Sequence, residues 1–187
     1  INIHLPTNQQ NLVESKKRLV FDELFLLQIK FLLRKRKIKK IKATKGFLQK
    51  KYLLDDFLKK IPFKLTKSQA EVLDEIKQDL SSQSIMSRLL QGDVGSGKTI
   101  IAIASLLIVI EKGYQGAIMV PTEVLAEQHY KSLLRYLNPI LVSVELLTGN
   151  TPQKKRKEIL SNLKNGLVDI LVGTHALFED KVTFNSL

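Results

Sequence analysis

Apolar side chains recur at helical spacing in the first third of the chain. They follow a period of about 3.6 residues from Asn8 to Lys37, which predicts a long helix. One face of this helix carries four large apolar side chains: Val20, Leu24, Leu27 and Phe31. Thr7 and Gln10 have the spacing of a capping box that would start the helix. The lysine-rich residues 34–51 follow, and we interpret them as a poorly packed connector with Gly46 as its strongest breaker.

The pattern changes after Pro62 to helices that alternate with short apolar runs. Residues 52–58 predict a short helix, and Thr66 begins another whose apolar residues face inward: Val72, Leu73, Ile76 and Leu80. Four apolar runs predict strands, over 86–90, 117–120, 140–147 and 168–172. Three helices are predicted between them, over 98–113, 122–136 and 152–166, the last with Thr151 as N-cap and Pro152 in its first turn. This alternation predicts an α/β fold with a parallel sheet and right-handed crossovers.

Positive charge is concentrated at one end of the chain. Residues 1–67 contain 18 Lys and Arg against 5 Asp and Glu, a net of +13, whereas residues 68–187 contain 12 against 13, a net of −1. The densest basic run begins with Arg34, Lys35, Arg36 and Lys37. Such a run binds a nucleic-acid backbone by releasing counterions from its phosphates. A solvated helix end or linker, a nuclear-localisation signal and a membrane-surface patch stay open as alternatives.

Composition bounds the class of protein. The 187 residues, 44% of them hydrophobic, have room for one domain with an appendage, which we divide into a basic helical arm over 1–60 and an α/β domain over 61–187. The absence of cysteine excludes disulfides and thiolate metal sites, and it fits a reducing compartment. No signal-peptide pattern is present, and the longest apolar run, 100–110, is too short to cross a bilayer. Because the first residue is Ile1, we expect a piece of a longer polypeptide.

Residues 92–99 carry the motif that constrains function most. Their sequence, Gly-Asp-Val-Gly-Ser-Gly-Lys-Thr, fits G-x-x-x-x-G-K-[ST] at every required position. In such a loop backbone N–H groups surround the phosphates of a nucleotide, the lysine reaches the β- and γ-phosphates, and the threonine hydroxyl binds Mg²⁺. The nucleotide-binding residues predicted here are Gly92, Val94, Gly95, Ser96, Gly97, Lys98 and Thr99, with Lys98 and Thr99 catalytic and Thr99 the Mg²⁺ ligand. A strand before the loop and an apolar helix after it favour this interpretation over a chance glycine-rich turn.

Five segments, the loop among them, resemble the first motor domain of superfamily 2 helicases. They are Leu65-Thr66-x-x-Gln69, Leu90–Thr99, Pro121–His129, Leu147–Gly149 and Gly173–Phe178. Within this superfamily the chain resembles the RecG family of DNA-fork translocases, and the transcription-repair coupling translocases are the nearest alternative. Residues 18–25, Arg-Leu-Val-Phe-Asp-Glu-Leu-Phe, are similar to the helix that follows the wedge domain in the RecG family. The resemblance runs along the whole chain and implies a RecA-like P-loop domain with an incomplete sheet.

The resemblance also implies nucleotide contacts upstream of the loop. Gln69 would pair with the adenine of ATP, because its amide both donates and accepts hydrogen bonds. Thr66 and Phe63 would lie near the same nucleotide. The residues alone leave alternatives open: Thr66 and Gln69 also have the spacing of a capping box, which needs no ligand, and Phe63 suits a core position equally well.

DNA contacts are the third implication of the resemblance. The residues concerned stand at three strand ends: Pro121, Thr122 and Glu123, then Thr148 and Gly149, then Gly173 and Thr174. Hydroxyl and backbone N–H groups at such ends can hold the phosphates of a single strand. An ordinary N-cap at Thr122 and ordinary turns elsewhere are the alternatives. We interpret His175 as structural, because no second metal ligand lies at suitable spacing.

The chain lacks the acidic motif that ATP hydrolysis requires. Phosphate-loop hydrolases need a carboxylate on Mg²⁺ and a group that positions water, which the resembled family takes from an Asp-Glu-x-His motif, together with an arginine of a second motor domain. Three acidic pairs are poor candidates, because none of them follows an apolar strand: Asp22-Glu23, Asp55-Asp56 and Glu179-Asp180. We therefore expect the chain to bind ATP and Mg²⁺ without efficient turnover.

The whole protein is then expected to remodel branched DNA, as a monomer and without a membrane partner. It would act in association with the nucleoid, in the bacterial cytoplasm or an organellar stroma. Two hypotheses of other classes remain beside this one. The first is a non-catalytic module that binds nucleotide or nucleic acid, and the second is a phosphate-loop ATPase that moves no DNA.

Overall fold

The computed structural model describes residues 3–40, 52–82 and 85–187. These residues form two compact units, the first containing 3–40 with 82 and 85, and the second containing 52–81 with 86–187. The second unit includes a helix over 53–60, which lies within the range predicted for the basic arm. The candidate nucleotide loop and the sheet both lie in this second unit.

The first unit consists mainly of the helix α1, Gln9–Lys40. Asn8 caps its first turn, because its Oδ1 accepts a hydrogen bond from the backbone N–H of Asn11 at 2.8 Å. The predicted capping box of Thr7 and Gln10 is therefore wrong by one residue. Thr7 Oγ1 instead accepts a hydrogen bond from the side-chain amide of Asn11, at 2.8 Å.

The basic end of α1 stays helical, so the connector predicted over 34–51 is wrong for residues 34–40. Arginine and lysine are good helix formers, and this stretch contains neither glycine nor proline to stop the helix. The remainder of that connector, with Gly46, lies outside the described residues. The predicted apolar face of α1 is exposed, at 46–56% of each residue's surface: Val20, Leu24, Leu27 and Phe31.

Five helices and three strands make up the second unit in its described part. The helices are α2 (Leu53–Lys60), α3 (Lys67–Ser81), α4 (Lys98–Glu111), α5 (Glu123–Leu137) and α6 (Gln153–Lys164). The strands are β1 (Gly116–Met119), β2 (Val144–Leu147) and β3 (Ile170–Gly173). Short 3-10 helices cover Asn138–Ile140 and His175–Phe178. The predicted alternation of helices and strands is confirmed.

The strands form a parallel sheet, as predicted, and their order in the sheet is β1-β3-β2. Met119 and Leu147 both pair with Gly173, so the three strands end at the same level. All residues of β3 are buried, because this central strand is covered on both faces. A Cβ at Gly173 would lie 2.1 Å from the carbonyl oxygen of Leu147, so only glycine allows the two strands to pack this closely.

The main core packs α2, α3, α4 and α5 around the sheet. Helix α4 is apolar on nearly every side and buries seven residues: Ile100, Ile101, Ile103, Ala104, Leu107, Ile108 and Ile110. Phe57 of α2 is fully buried and meets the ring of Tyr136 edge-on, with the ring centroids 6.3 Å apart. A smaller cluster covers the other face of the sheet, where Ile159 and Leu163 of α6 pack beside Leu171.

One buried side chain ties the last described segment to the sheet. Gln115 donates through Nε2 to the carbonyl oxygens of Leu163 and Val168, at 2.9 and 2.7 Å. Its Oε1 accepts from the backbone N–H groups of Asn185 and Ser186, at 2.7 and 3.0 Å. The amide is therefore fully paired although only 6% of the residue is exposed.

Three local predictions are wrong. Residues 86–90 belong to no strand, because no described segment pairs with them and a strand requires ladder partners. The strand predicted over 140–147 begins only at Val144, since Ile140 lies in a 3-10 helix and Leu141 takes a positive φ of 59°. Pro152 occupies the N-cap of α6, and Thr151 Oγ1 instead accepts from the backbone N–H of Thr148.

Candidate nucleotide and nucleic-acid sites

The candidate phosphate loop is an exposed turn that leads into α4. Gly95 and Gly97 have φ values of 82° and 81°, and Gly97 is the N-cap of the helix. A Cβ at Gly97 would lie 2.4 Å from Nε2 of Gln69 and would displace that side-chain amide, while the positive φ favours glycine. Of the predicted nucleotide-binding residues, Gly92, Val94, Gly95 and Ser96 are exposed, whereas Gly97, Lys98 and Thr99 are half-buried.

Lys98 closes the loop on itself. Its ammonium donates to the backbone carbonyl oxygens of Gly92 and Asp93, at 2.8 and 2.6 Å. The first N–H groups of α4 have no acceptors inside the helix, and the helix dipole makes this end positive. One ammonium and several backbone donors therefore meet at the start of a buried helix, an arrangement that suits phosphate oxygens.

The capping box at the start of α3 is confirmed as a structural feature. The backbone N–H of Thr66 donates to Oε1 of Gln69 at 2.9 Å, and the backbone N–H of Gln69 donates to Oγ1 of Thr66 at 3.2 Å. Nε2 of Gln69 also donates to the carbonyl oxygen of Ser96, at 2.8 Å. Gln69 thus connects α3 to the phosphate loop, and an adenine base would have to share the groups that make this connection.

Phe63 is exposed, with 42% of its surface accessible, so the alternative of a core position is wrong for this residue. Thr66 is exposed as well. An exposed ring three residues before the capping box is available to stack on a ligand.

Arg88 was not singled out from the sequence, although it lies in the segment that enters the loop. Its guanidinium pairs with two carboxylates of α3, those of Glu75 and Asp79. The hydrogen bond from Arg88 lowers the pKa of the Asp79 carboxyl below its usual value. These pairs fasten the segment before the loop to α3. No local spacing could have indicated them, because the partners lie 9 and 13 residues apart in sequence.

The three strand ends predicted to face DNA lie together. Since β1, β2 and β3 are parallel and end in register, the residues that follow them occupy one edge of the sheet. A connection over 112–115 joins α4 to the start of β1, so the phosphate loop at the other end of α4 points toward the same edge. Ligands of open α/β sheets bind at this edge.

The predicted DNA contacts differ in accessibility. Pro121, Thr122 and Gly149 are exposed, and Glu123 is half-buried. Thr148, Gly173 and Thr174 are buried. Thr122 serves as the N-cap of α5, because its Oγ1 accepts from the backbone N–H of Leu125 at 3.3 Å. The surface offered to a ligand is therefore mainly the start of α5 and the turn at Gly149.

The densest basic run lies at the end of α1, where Arg34, Arg36 and Lys37 are exposed; the side chain of Lys35 lies outside the described part. His175 starts the 3-10 helix that follows β3. Among the residues that the structure describes, no group of three or more His, Cys, Asp or Glu side chains could hold a metal ion.

The acidic pairs are engaged or exposed. Asp22 pairs with Arg18 in α1, and Glu179 pairs with Arg156 of α6. Asp55 and Asp56 are exposed in the first turn of α2.

No helix in the described part of the chain is long and apolar enough to span a membrane.

Comparison with curated proteins finds closely similar sequences. The chain is 47% identical over 185 residues to the ATP-dependent DNA helicase RecG of Synechocystis, 50% over 171 residues to that of Aquifex aeolicus, and 46% over 186 residues to that of Bacillus subtilis. These matches cover 91–99% of the chain. The chain spans only 22–27% of the length of these relatives.

Solved structures show the same fold. RecG bound to a three-way DNA junction superposes with a TM-score of 0.81 and 40% identity, over all of this chain and 25% of that one. A hypothetical ATP-dependent RNA helicase from Sulfolobus tokodaii superposes with a TM-score of 0.52 over 67% of this chain and 34% of its own, which at 20% identity supports the fold alone. The DEAD/DEAH box helicase family matches residues 66–187, more than half of the chain, and the chain belongs to this family.

Proposed function

We propose that this chain supplies the ATP-binding half-site and part of the DNA track of a RecG-type helicase that remodels branched DNA. The observation that carries the proposal is the common sheet edge, toward which the phosphate loop and three strand ends converge. The similarity to RecG proteins over nearly the whole chain supports DNA as the substrate. Hydrolysis and translocation belong to the whole protein, of which this chain is comparable to about a quarter.

The loop residues fit a nucleoside triphosphate. The left-handed glycines open the backbone, and the loop itself is exposed. In the structure the Lys98 ammonium bonds two loop carbonyls, and it would turn toward the β- and γ-phosphate oxygens when ATP binds. Gln69 holds the loop through Ser96 while its amide lies beside the loop, which supports a position for adenine near α3.

Magnesium would depend on the nucleotide. Thr99 supplies one hydroxyl ligand at the start of α4, and Mg²⁺ usually takes its other ligands from substrate phosphates, water and one or two carboxylates. Among the described residues no acidic cluster completes the site. The family relationship implies ATP use, and we infer that the carboxylate comes from another segment of the full-length protein.

The DNA track would use backbone donors more than side chains. The exposed donors are Thr122 at the start of α5 and Gly149 in the turn after β2; Pro121 is exposed beside them but has no N–H to donate. Phosphate contacts of this kind position a strand without reading its sequence. Thr148, Gly173 and Thr174 are buried and would shape the edge instead. The exposed basic end of α1 adds a further phosphate-binding surface.

The test uses the full-length protein that carries this chain. ATP hydrolysis should rise with a three-way junction more than with linear duplex, and Lys98→Ala should remove both hydrolysis and binding of a fluorescent ATP analogue. Lys131→Ala is the matched control, because it removes an exposed lysine of α5. Hydrolysis that ignores DNA would favour a plain ATPase, and DNA binding with no hydrolysis would favour a non-catalytic module. Such a helicase would act as a monomer beside DNA, in the bacterial cytoplasm or an organellar stroma.

A further inference from the structure

Two side-chain bridges join the three turns at the sheet edge. The first starts from Glu123 in the first turn of α5. Its carboxylate accepts hydrogen bonds from the backbone N–H of Asn150, at 3.2 Å, and from the side-chain amide of the same residue, at 2.5 Å. The turn after β1 is therefore fastened to the turn after β2.

The second bridge starts from Arg156 of α6, whose side chain is only 15% exposed. Its Nη1 donates to the carbonyl oxygen of Thr148 at 3.2 Å, and its Nη2 donates to Oε2 of Glu179 at 2.5 Å. Thr148 directly follows the strand β2, and Glu179 follows the 3-10 helix after β3. The turn after β2 is therefore fastened to the segment after β3.

The polar groups of both bridges bond to each other. The Glu123 carboxylate keeps its negative charge, but both of its oxygens accept hydrogen bonds from Asn150. The Arg156 guanidinium donates hydrogen bonds to an acidic side chain and to a backbone carbonyl. The groups that fix the turns are thus separate from the backbone donors that the proposed track offers.

The three turns lie beyond the last paired residues of their strands, so the backbone ladder of the sheet does not extend into them. A DNA strand that contacts all three turns at once requires a fixed distance between the turns. If one turn is displaced, its contact with the strand is weakened. We propose that Arg156 is a positioning residue of the DNA track, which holds the turn at Thr148 and the segment at Glu179 in place, with Glu123 and Asn150 as the second bridge. This inference rests on the proposed function of these turns in binding DNA.

The salt dependence of DNA binding by the full-length protein separates positioning from direct contact. Replacing a residue that touches a phosphate lowers the slope of log affinity against log salt by about 0.7 to 0.9. We expect Arg156→Gln to weaken binding of a three-way junction about tenfold with an unchanged slope, since a charge-assisted hydrogen bond is lost. Lys157→Gln, an exposed neighbour on α6, is the control for loss of charge.

Replacing Glu179 is the sharper test, because an electrostatic effect and a positioning effect would change DNA affinity in opposite directions. Removing a negative charge beside DNA should strengthen binding by simple electrostatics, whereas loss of the bridge should weaken it. We expect Glu179→Gln to weaken binding, because a neutral amide pairs less strongly with the Arg156 guanidinium. Since Glu179 is about half exposed, its replacement keeps the test available if Arg156→Gln fails to fold.

Other outcomes overturn the inference. A lower slope for Arg156→Gln would make Arg156 a direct phosphate contact, and unchanged affinity in both variants would leave the bridge without a role. Affinity for the fluorescent ATP analogue should stay within about twofold of wild type in every variant; a parallel loss would indicate general damage to the domain. If the wild-type protein binds no DNA at all, the proposed function fails together with this inference, whereas failure of the variants alone leaves that function intact.

Discussion

Replacing Gly97 by alanine tests how the phosphate loop is built. The residue has a φ of 81°, and an added Cβ would lie 2.4 Å from Nε2 of Gln69. The left-handed backbone costs a residue other than glycine about 1–2 kcal/mol. The displaced amide also loses its hydrogen bond to the carbonyl oxygen of Ser96, worth about 0.5–1.5 kcal/mol. The sum is about 1.5–3.5 kcal/mol.

This cost in free energy should lower the affinity of the loop for a nucleotide. Because most of the loop is exposed, the free protein can relax the strained turn, and a bound triphosphate must restore it. At about 1.4 kcal/mol for each factor of ten, Gly97→Ala should weaken binding of a fluorescent ATP analogue by about 10- to 300-fold. Calorimetric titration of the full-length protein measures the same quantity without the label.

Gly95→Ala is the matched control. Gly95 has nearly the same φ, 82°, but no atom lies within 4 Å of an added Cβ. Its replacement should cost only the backbone term, about 5- to 30-fold in affinity. Gly97→Ala should therefore bind about 2- to 12-fold more weakly than Gly95→Ala, and adding Gln69→Ala to both variants should remove that difference. Equal affinities for the two glycine variants would refute the contact with Gln69.

Three further predictions concern stability and charge. Gly173→Ala should destabilise the fold by about 3 kcal/mol, because its Cβ would meet the Leu147 carbonyl at 2.1 Å; an unchanged melting temperature would contradict this. Asp79→Asn should lower the melting temperature at neutral pH, because a carboxyl with a lowered pKa stabilises the fold above its unfolded value of about 3.9. This difference should shrink from pH 4 toward pH 2, and a constant difference would count against the pairing with Arg88. Replacing residues 34–40 by neutral polar ones should flatten the salt dependence of DNA binding. A slope equal to that of the wild type would show that this basic run does not contact DNA phosphates.

The sequence by itself determined the helices, strands and caps that depend on residues close together along the chain. The apolar residues of α4 predict a buried helix, and the alternation after Pro62 predicts a parallel sheet; both are present. Thr66 and Gln69 predict their own capping box, because its atoms lie within four residues of one another. The eight residues of the phosphate motif predict the left-handed glycines and the start of α4. The roles of these residues toward ATP and DNA stay predictions.

Only the tertiary structure determined the strand pairings and side-chain bridges between residues that are distant in the sequence. Residues 86–90 have the composition of a strand, yet strand structure needs a neighbour that local sequence cannot name. The bridges from Arg156 to Glu179 and from Glu123 to Asn150 join residues 23 and 27 positions apart. Side-chain type and spacing within one helix or strand carry no information about such pairs. They arise because parallel strands that end in register bring separate turns to one edge.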